Sequence, residues 1–100
     1  MESAPACSLD APGLIAQRER YRELGRGARL IERTSARLVV ELYEGLDTGL
    51  LEQTLAIERE CCSFFELRWE SATRRLEVSV AAAAHAPALD AIAHSLGTAV

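Results

Sequence analysis

The apolar and polar positions of the chain follow two different periods, one typical of helices and one typical of strands. Helix-forming residues occupy positions 14–24, with Leu14, Arg18, Tyr21 and Leu24 along one stripe. Gly25 follows, and glycine is the residue that most often ends a helix. The pattern therefore predicts an N-terminal helix that packs through this stripe.

The period changes to two over positions 28–44, where apolar side chains alternate with polar ones. This alternation predicts two strands around a tight turn at Ser35 and Ala36. A second alternating pair follows at positions 67–70 and 76–80. Two hairpins are therefore expected, one in each half of the chain.

A wide apolar stripe predicts a second helix from residue 49 to about residue 65, with Asp47 or Thr48 as its N-cap. A third helix is predicted at positions 88–96. The main row of the second helix contains Leu51, Leu55, Glu58, Cys62 and Phe65.

The two halves share the order strand, turn, strand, loop and helix. This order predicts an α+β fold in which the N-terminal helix precedes a pseudo-repeated ββα-ββα unit. We expect a four-stranded antiparallel sheet with the helices packed on one face. Residues 1–100 are expected to form a single domain, with residues 1–13 as an extended lead-in.

Composition supports one globular domain and restricts its partners. Of the 100 residues, 49% are hydrophobic and 26% are charged, and the net charge is −4. A negative chain does not favour nucleic acid, and no apolar run approaches the roughly 18 residues of a membrane span. The N-terminus lacks the features of a secretory signal. We therefore expect a cytoplasmic protein with reduced cysteines, no nucleic-acid partner and no membrane association.

The chemically suggestive residues are Glu58, Cys61 and Cys62, near the end of the second helix. Glu58 precedes the two cysteines by one helical turn, and it falls in an apolar row where an unbalanced carboxylate is costly. Thiols and a carboxylate are ligands for soft metals such as Zn²⁺, Hg²⁺ or Cu⁺. Adjacent helical positions point about 100° apart, so one ion is not easily held by both thiols without distortion. Cys7 would complete a three-thiolate site if the N-terminal segment crosses this helix end.

The same residues also admit a purely structural interpretation. Free cysteine is often buried as a small apolar group, so Cys61 and Cys62 could simply pack in the core. The charge of Glu58 could be balanced by water or by an arginine. The candidate arginines are Arg18, Arg22 and Arg68. Motifs for nucleotide binding, zinc proteases and hydrolase triads are absent from the sequence, and any enzymatic activity stays open.

The chain also resembles a family of small uncharacterised bacterial proteins. These have a Cys-x-Leu near the start, matched here by Cys7 and Leu9, and a central Glu-x-x-Cys-Cys-x-Phe motif. Here Ser63 stands where the family often has proline. Some members lie near genes of the mercury or heavy-metal response, and the resemblance implies a soft-metal or thiol role for Cys7, Glu58, Cys61, Cys62 and Phe65.

From these observations we expect binding of a thiophilic metal or metalloid in a heavy-metal response. The expected ligands are Cys7, Cys61 and Cys62, with Glu58 orienting or accepting a proton. The cofactor would be a soft metal ion such as mercury, zinc or copper, with no organic cofactor. Two alternatives stay open: a structural or interaction module, as a homodimer with buried cysteines, and a thiol redox protein.

Overall fold

A computed structural model describes residues 9–98 and contains three α-helices and four strands. Within this range the elements, in chain order, are α1 (Ala11–Leu24), β1 (Arg29–Arg33), β2 (Arg37–Glu41), α2 (Thr48–Cys61), β3 (Phe65–Glu70), β4 (Arg75–Val80), a 3₁₀ turn (Ala83–His85) and α3 (Ala86–Ser95). None of the helices in the described range is both long and apolar enough to cross a membrane.

The four strands form one antiparallel sheet in the order β1-β2-β4-β3. Each predicted hairpin forms, and the two hairpins join through their second strands. In that central pairing Leu38 lies opposite Val78, and Val40 lies opposite Leu76. The predicted α+β fold with a four-stranded antiparallel sheet is thus confirmed.

The helices cover one face of the sheet because the strands place their apolar residues there. The fully buried core residues of β2 and β4 are Leu38, Val40, Leu76 and Val78, and each has 0% exposed surface. The opposite face carries charged residues, including Arg37, which forms ion pairs with Glu32 at 2.7 Å and Glu77 at 2.9 Å. The alternation between buried and charged positions is the pattern of an antiparallel sheet that is covered on one side.

The start of α1 differs from the predicted lead-in, because the helix begins at Ala11 and includes three residues, 11–13, that were expected to be extended. The side chain of Asp10 accepts a 2.9 Å hydrogen bond from the backbone N–H of Gly13 and caps the helix. Pro12 lies in the first turn, where the missing N–H of proline costs no hydrogen bond.

The end of α2 also differs from the prediction, because the helix ends at Cys61 instead of continuing to residue 65. Cys62 leaves the helix with φ −131° and ψ 72°, although its N–H still reaches the Glu58 carbonyl at 2.8 Å. Phe65 instead begins β3 and pairs with Val80. Strand pairing therefore overrides the helical spacing of the last apolar position.

Gly25 fixes the end of α1 against the end of α3. A Cβ atom on Gly25 would lie 2.2 Å from the carbonyl oxygen of Leu96, a distance that no side chain tolerates. Glycine therefore allows a close backbone approach here. The contact helps to set how α1 lies across α2 and α3, and the site described next is formed between these helices.

Candidate functional site

Glu58 is a buried carboxylate on α2, with 5% of its surface exposed. Its Oε1 accepts a 2.8 Å hydrogen bond from the hydroxyl of Tyr21 and a 3.0 Å hydrogen bond from Nε2 of Gln17. The same Nε2 also donates to the backbone carbonyl of Thr54 at 3.0 Å. Two neutral donors from α1 therefore offset the desolvation of this carboxylate.

These partners differ from the ones expected from the sequence. The named candidates were Arg18, Arg22 and Arg68, and none of them bonds to Glu58 in the described part of the chain. Within residues 9–98, Arg20 is linked to Glu58 only indirectly, because its Nη1 donates a 2.8 Å hydrogen bond to Oε1 of Gln17.

Glu58 has different partners because the buried face of α1 differs in part from the one that the sequence predicted. The predicted stripe ran through Leu14, Arg18, Tyr21 and Leu24. Tyr21 and Leu24 are buried, but so is Gln17, whereas Arg18 is exposed. Gln17 was not singled out from the sequence, although its spacing of four residues from Tyr21 is the signal that could have found it.

Tyr21 is held as a hydrogen-bond donor. Burial raises the pKa of its hydroxyl well above the ordinary 10.0, and the charge of Glu58 and its hydrogen bond raise the pKa further. The hydroxyl therefore keeps its proton at neutral pH and directs it towards the carboxylate.

A cavity of about 170 Å³ lies beside this network, between α1, the end of α2, the start of β3 and α3. We refer to it as the Glu58 cavity. Its buried polar residues are Gln17, Tyr21 and Glu58, and Cys62 also borders it. The apolar lining consists of Leu14, Phe64, Phe65, Ala88, Ala91 and Ile92.

The second oxygen of Glu58, Oε2, has no donor among the described residues. Because Glu58 lines the cavity, Oε2 is a carboxylate acceptor there that no donor within residues 9–98 uses.

The two adjacent cysteines lie in different environments. Cys61 carries a free, half-buried thiol, whereas Cys62 has 4% of its surface exposed and is disulfide-bonded. The two cysteines are therefore not joined to each other. The predicted approach of Cys7 to this pair lies outside the described residues.

A complete metal centre is not formed by residues 9–98 alone. In that range the structure has no group of three or more His, Cys, Asp or Glu side chains that could hold a metal ion. Glu58 and Cys62 border the same cavity. A three-thiolate site would need Cys7 in addition.

His85 adds a buried polar atom that the sequence did not mark. Its ring contacts the ring of Phe64, with centroids 4.3 Å apart and planes tilted by 39°. Phe64 in turn contacts Phe65 at 4.6 Å. The imidazole thus completes an aromatic cluster at the start of β3, next to the Glu58 cavity.

Comparison with protein-family profiles, with curated proteins and with solved structures gives no match for this chain. The functional argument therefore rests on the geometry of Glu58, the cysteines and the cavity.

Proposed function

We propose that the protein binds a thiophilic metal or metalloid ion through Cys61 and Cys62, with Cys7 as a third thiol, in a heavy-metal response. The observation that carries the proposal is that α2 ends between the two cysteines. In a continuous helix their side chains would diverge by about 100°. Cys62 has left helical geometry, with φ −131° and ψ 72°, so this restriction does not apply.

The exposure of the two cysteines also supports this proposal. The free thiol of Cys61 is half-buried, so it can be reached by an ion from solvent. Cys62 borders the Glu58 cavity, so an ion on its sulfur would be shielded from water on that side. Soft metals favour such thiolate ligands over the oxygen donors of the surrounding solvent.

Glu58 would act through its free oxygen. Oε1 is occupied by Tyr21 and Gln17, which leaves Oε2 to orient a ligand or to accept a proton. Metal capture by thiols releases protons, and a nearby carboxylate can take one up.

One observation favours thiol redox chemistry as a second candidate. Cys62 is disulfide-bonded while its neighbour Cys61 is a free thiol. A thiolate beside a disulfide can attack it, in which case one sulfur–sulfur bond breaks and another forms without net oxidation. Metal binding, in contrast, needs this bond to be reduced first.

Native mass spectrometry under reducing conditions tests the metal proposal. The full chain is measured alone and with Hg²⁺, Zn²⁺ or Cu⁺, beside the variants Cys7→Ser, Cys61→Ser and Cys62→Ser. The matched control is Ser63→Ala, an exposed change directly after the pair. We expect one bound ion in the wild type and the control, and weaker binding in each cysteine variant.

Equal metal binding by wild type and all three cysteine variants would contradict the proposal. If no ion binds, while the oxidised protein loses the mass of two hydrogen atoms and regains it with a thiol reductant, the redox candidate is supported instead. The variant Glu58→Gln completes the series, because weaker binding or a shifted pH profile between pH 6 and 8 is expected only if the carboxylate assists.

A further inference from the structure

The Glu58 cavity has the size and lining of a site for a small organic molecule. Its volume is about 170 Å³. For comparison, a cavity of about 150 Å³ that is lined by Leu, Ile and Phe accepts benzene. Here Leu14, Phe64, Phe65 and Ile92 supply the apolar walls. A body of benzene to toluene size would therefore fill the space.

The Glu58 carboxylate in the cavity favours a ligand with a positive charge. Glu58 is a carboxylate with 5% exposure, and both of its recorded donors, Tyr21 and Gln17, bind Oε1. Because both donors bind Oε1, no donor within residues 9–98 uses Oε2, which is a hydrogen-bond acceptor. A cationic donor that reaches Oε2 would form a charge-assisted hydrogen bond in a shielded place.

Other charges near the cavity do not replace such a ligand. Arg18 also lines the cavity but is exposed, so its charge is screened by solvent and salt. Arg20 reaches only the side-chain oxygen of Gln17, one hydrogen bond away from the carboxylate. Ser95 is neutral. Among residues 9–98, Glu58 therefore has no direct ion pair.

We propose that the Glu58 cavity binds a small organic cation, namely a primary ammonium group on an apolar body of benzene to toluene size. The ammonium donates to Oε2 of Glu58, and the hydrocarbon packs on Phe64, Phe65 and Ile92. This site requires no thiol and no metal, so it stands independently of the function proposed above.

The test compares three probes of matched shape by NMR titration: benzylamine, benzyl alcohol and benzoate. The buffer contains a chelator, so metal binding cannot contribute. We expect saturable binding of benzylamine with shifts at Leu14, Phe65 and Ile92, binding of benzyl alcohol at least tenfold weaker, and no binding of benzoate.

Variants locate the interaction. Glu58→Gln keeps the shape of the side chain and is expected to weaken benzylamine binding at least tenfold. Glu60→Gln removes an exposed carboxylate from the same helix and should leave binding unchanged. Ala91→Leu adds a larger side chain at an exposed position of α3 that lines the cavity, so it should block binding of all three probes. This variant also tests the site if Glu58→Gln does not fold.

Three results would overturn the proposal: benzylamine that does not saturate, benzyl alcohol that binds as tightly as benzylamine, or unchanged affinity in the folded Glu58→Gln or Ala91→Leu variant. None of these results bears on metal binding by the cysteines, so the two proposals fail separately.

Discussion

The hydroxyl of Tyr21 donates a 2.8 Å hydrogen bond to Oε1 of Glu58 and thereby joins the buried face of α1 to the last turn of α2. The two residues are 37 positions apart in the chain. This hydrogen bond helps to offset the desolvation of a carboxylate that lies in an otherwise apolar row of α2. It also sets which of the two carboxylate oxygens stays available for chemistry.

The first prediction concerns the strength of this bond. Tyr21→Phe deletes the hydroxyl and leaves Glu58 with one side-chain donor. A hydrogen bond to a charged group contributes roughly 1.5–3 kcal/mol, so the free energy of unfolding should fall by about that amount. Urea unfolding measures it. The control Tyr43→Phe changes an exposed tyrosine and should stay within about 0.5 kcal/mol of wild type. Equal stability of the two variants would contradict the assigned bond.

The second prediction concerns alkaline pH. The pKa of Tyr21 is raised above 10.0 in the folded state, chiefly by burial and then by Glu58. The unfolded chain loses this proton first, so the contribution to stability is complete below the unfolded pKa and is lost as pH rises through the folded pKa. Unfolding free energies from pH 8 to 11 should therefore decline above about pH 10 in wild type. The decline should be smaller in Tyr21→Phe, and an identical pH profile in the two proteins would refute the role of Tyr21.

The third prediction separates ligand cysteines from packing cysteines. Replacing both Cys61 and Cys62 with alanine should cost roughly 1–3 kcal/mol of stability in reducing buffer, because a buried side chain is shortened. Soft metal at a hundredfold excess over its Kd should stabilise the wild type by about 2.7 kcal/mol. The double-alanine protein should lose this gain. If metal shifts the melting curves of both proteins equally, the cysteines are packing residues.

The fourth prediction concerns the contact between α1 and α3. Gly25→Ala would place a methyl group 2.2 Å from the Leu96 carbonyl oxygen, so backbone must move. We expect a loss of about 2 kcal/mol or more, measured by urea unfolding, because overpacking typically costs about 1–3 kcal/mol. Gly49→Ala is the control, since the nearest atom to an added Cβ there is a side-chain oxygen of Asp47 at 3.3 Å, and no backbone atom lies within 4 Å. Its stability should change little, and a Gly25→Ala protein as stable as this control would argue against the close approach.

Much of the fold could be predicted from local patterns. The period of two placed both hairpins, and Asp47 caps α2 as its position indicated, with its side chain 3.1 Å from the N–H of Leu50. The extent of α2 was wrong, because Cys62 and Phe65 continue its helical spacing while Phe65 pairs with Val80. Local periodicity alone does not decide whether residues 62–65 continue the helix or start a strand, since the partner strand β4 lies further along the chain.

The candidate site could be predicted only in part. Glu58, Cys61 and Cys62 were chosen because a carboxylate and two thiols stand out in an apolar row. The metal, the role of Cys7 and the link to a heavy-metal response stay predictions. The partners of Glu58 were not found, because every candidate arginine was chosen for its charge, whereas burial favoured the neutral donors Gln17 and Tyr21.

The sequence by itself determined the type and order of the elements, because helix and strand periods and caps depend on neighbours a few residues apart. The tertiary structure decided which face of α1 is buried, which donors meet Glu58 and where the cavity lies. These features depend on contacts 37 and 41 residues apart in the chain, between α1 and α2. Such residues come together only when the helices pack on the sheet, and local periodicity does not predict this packing.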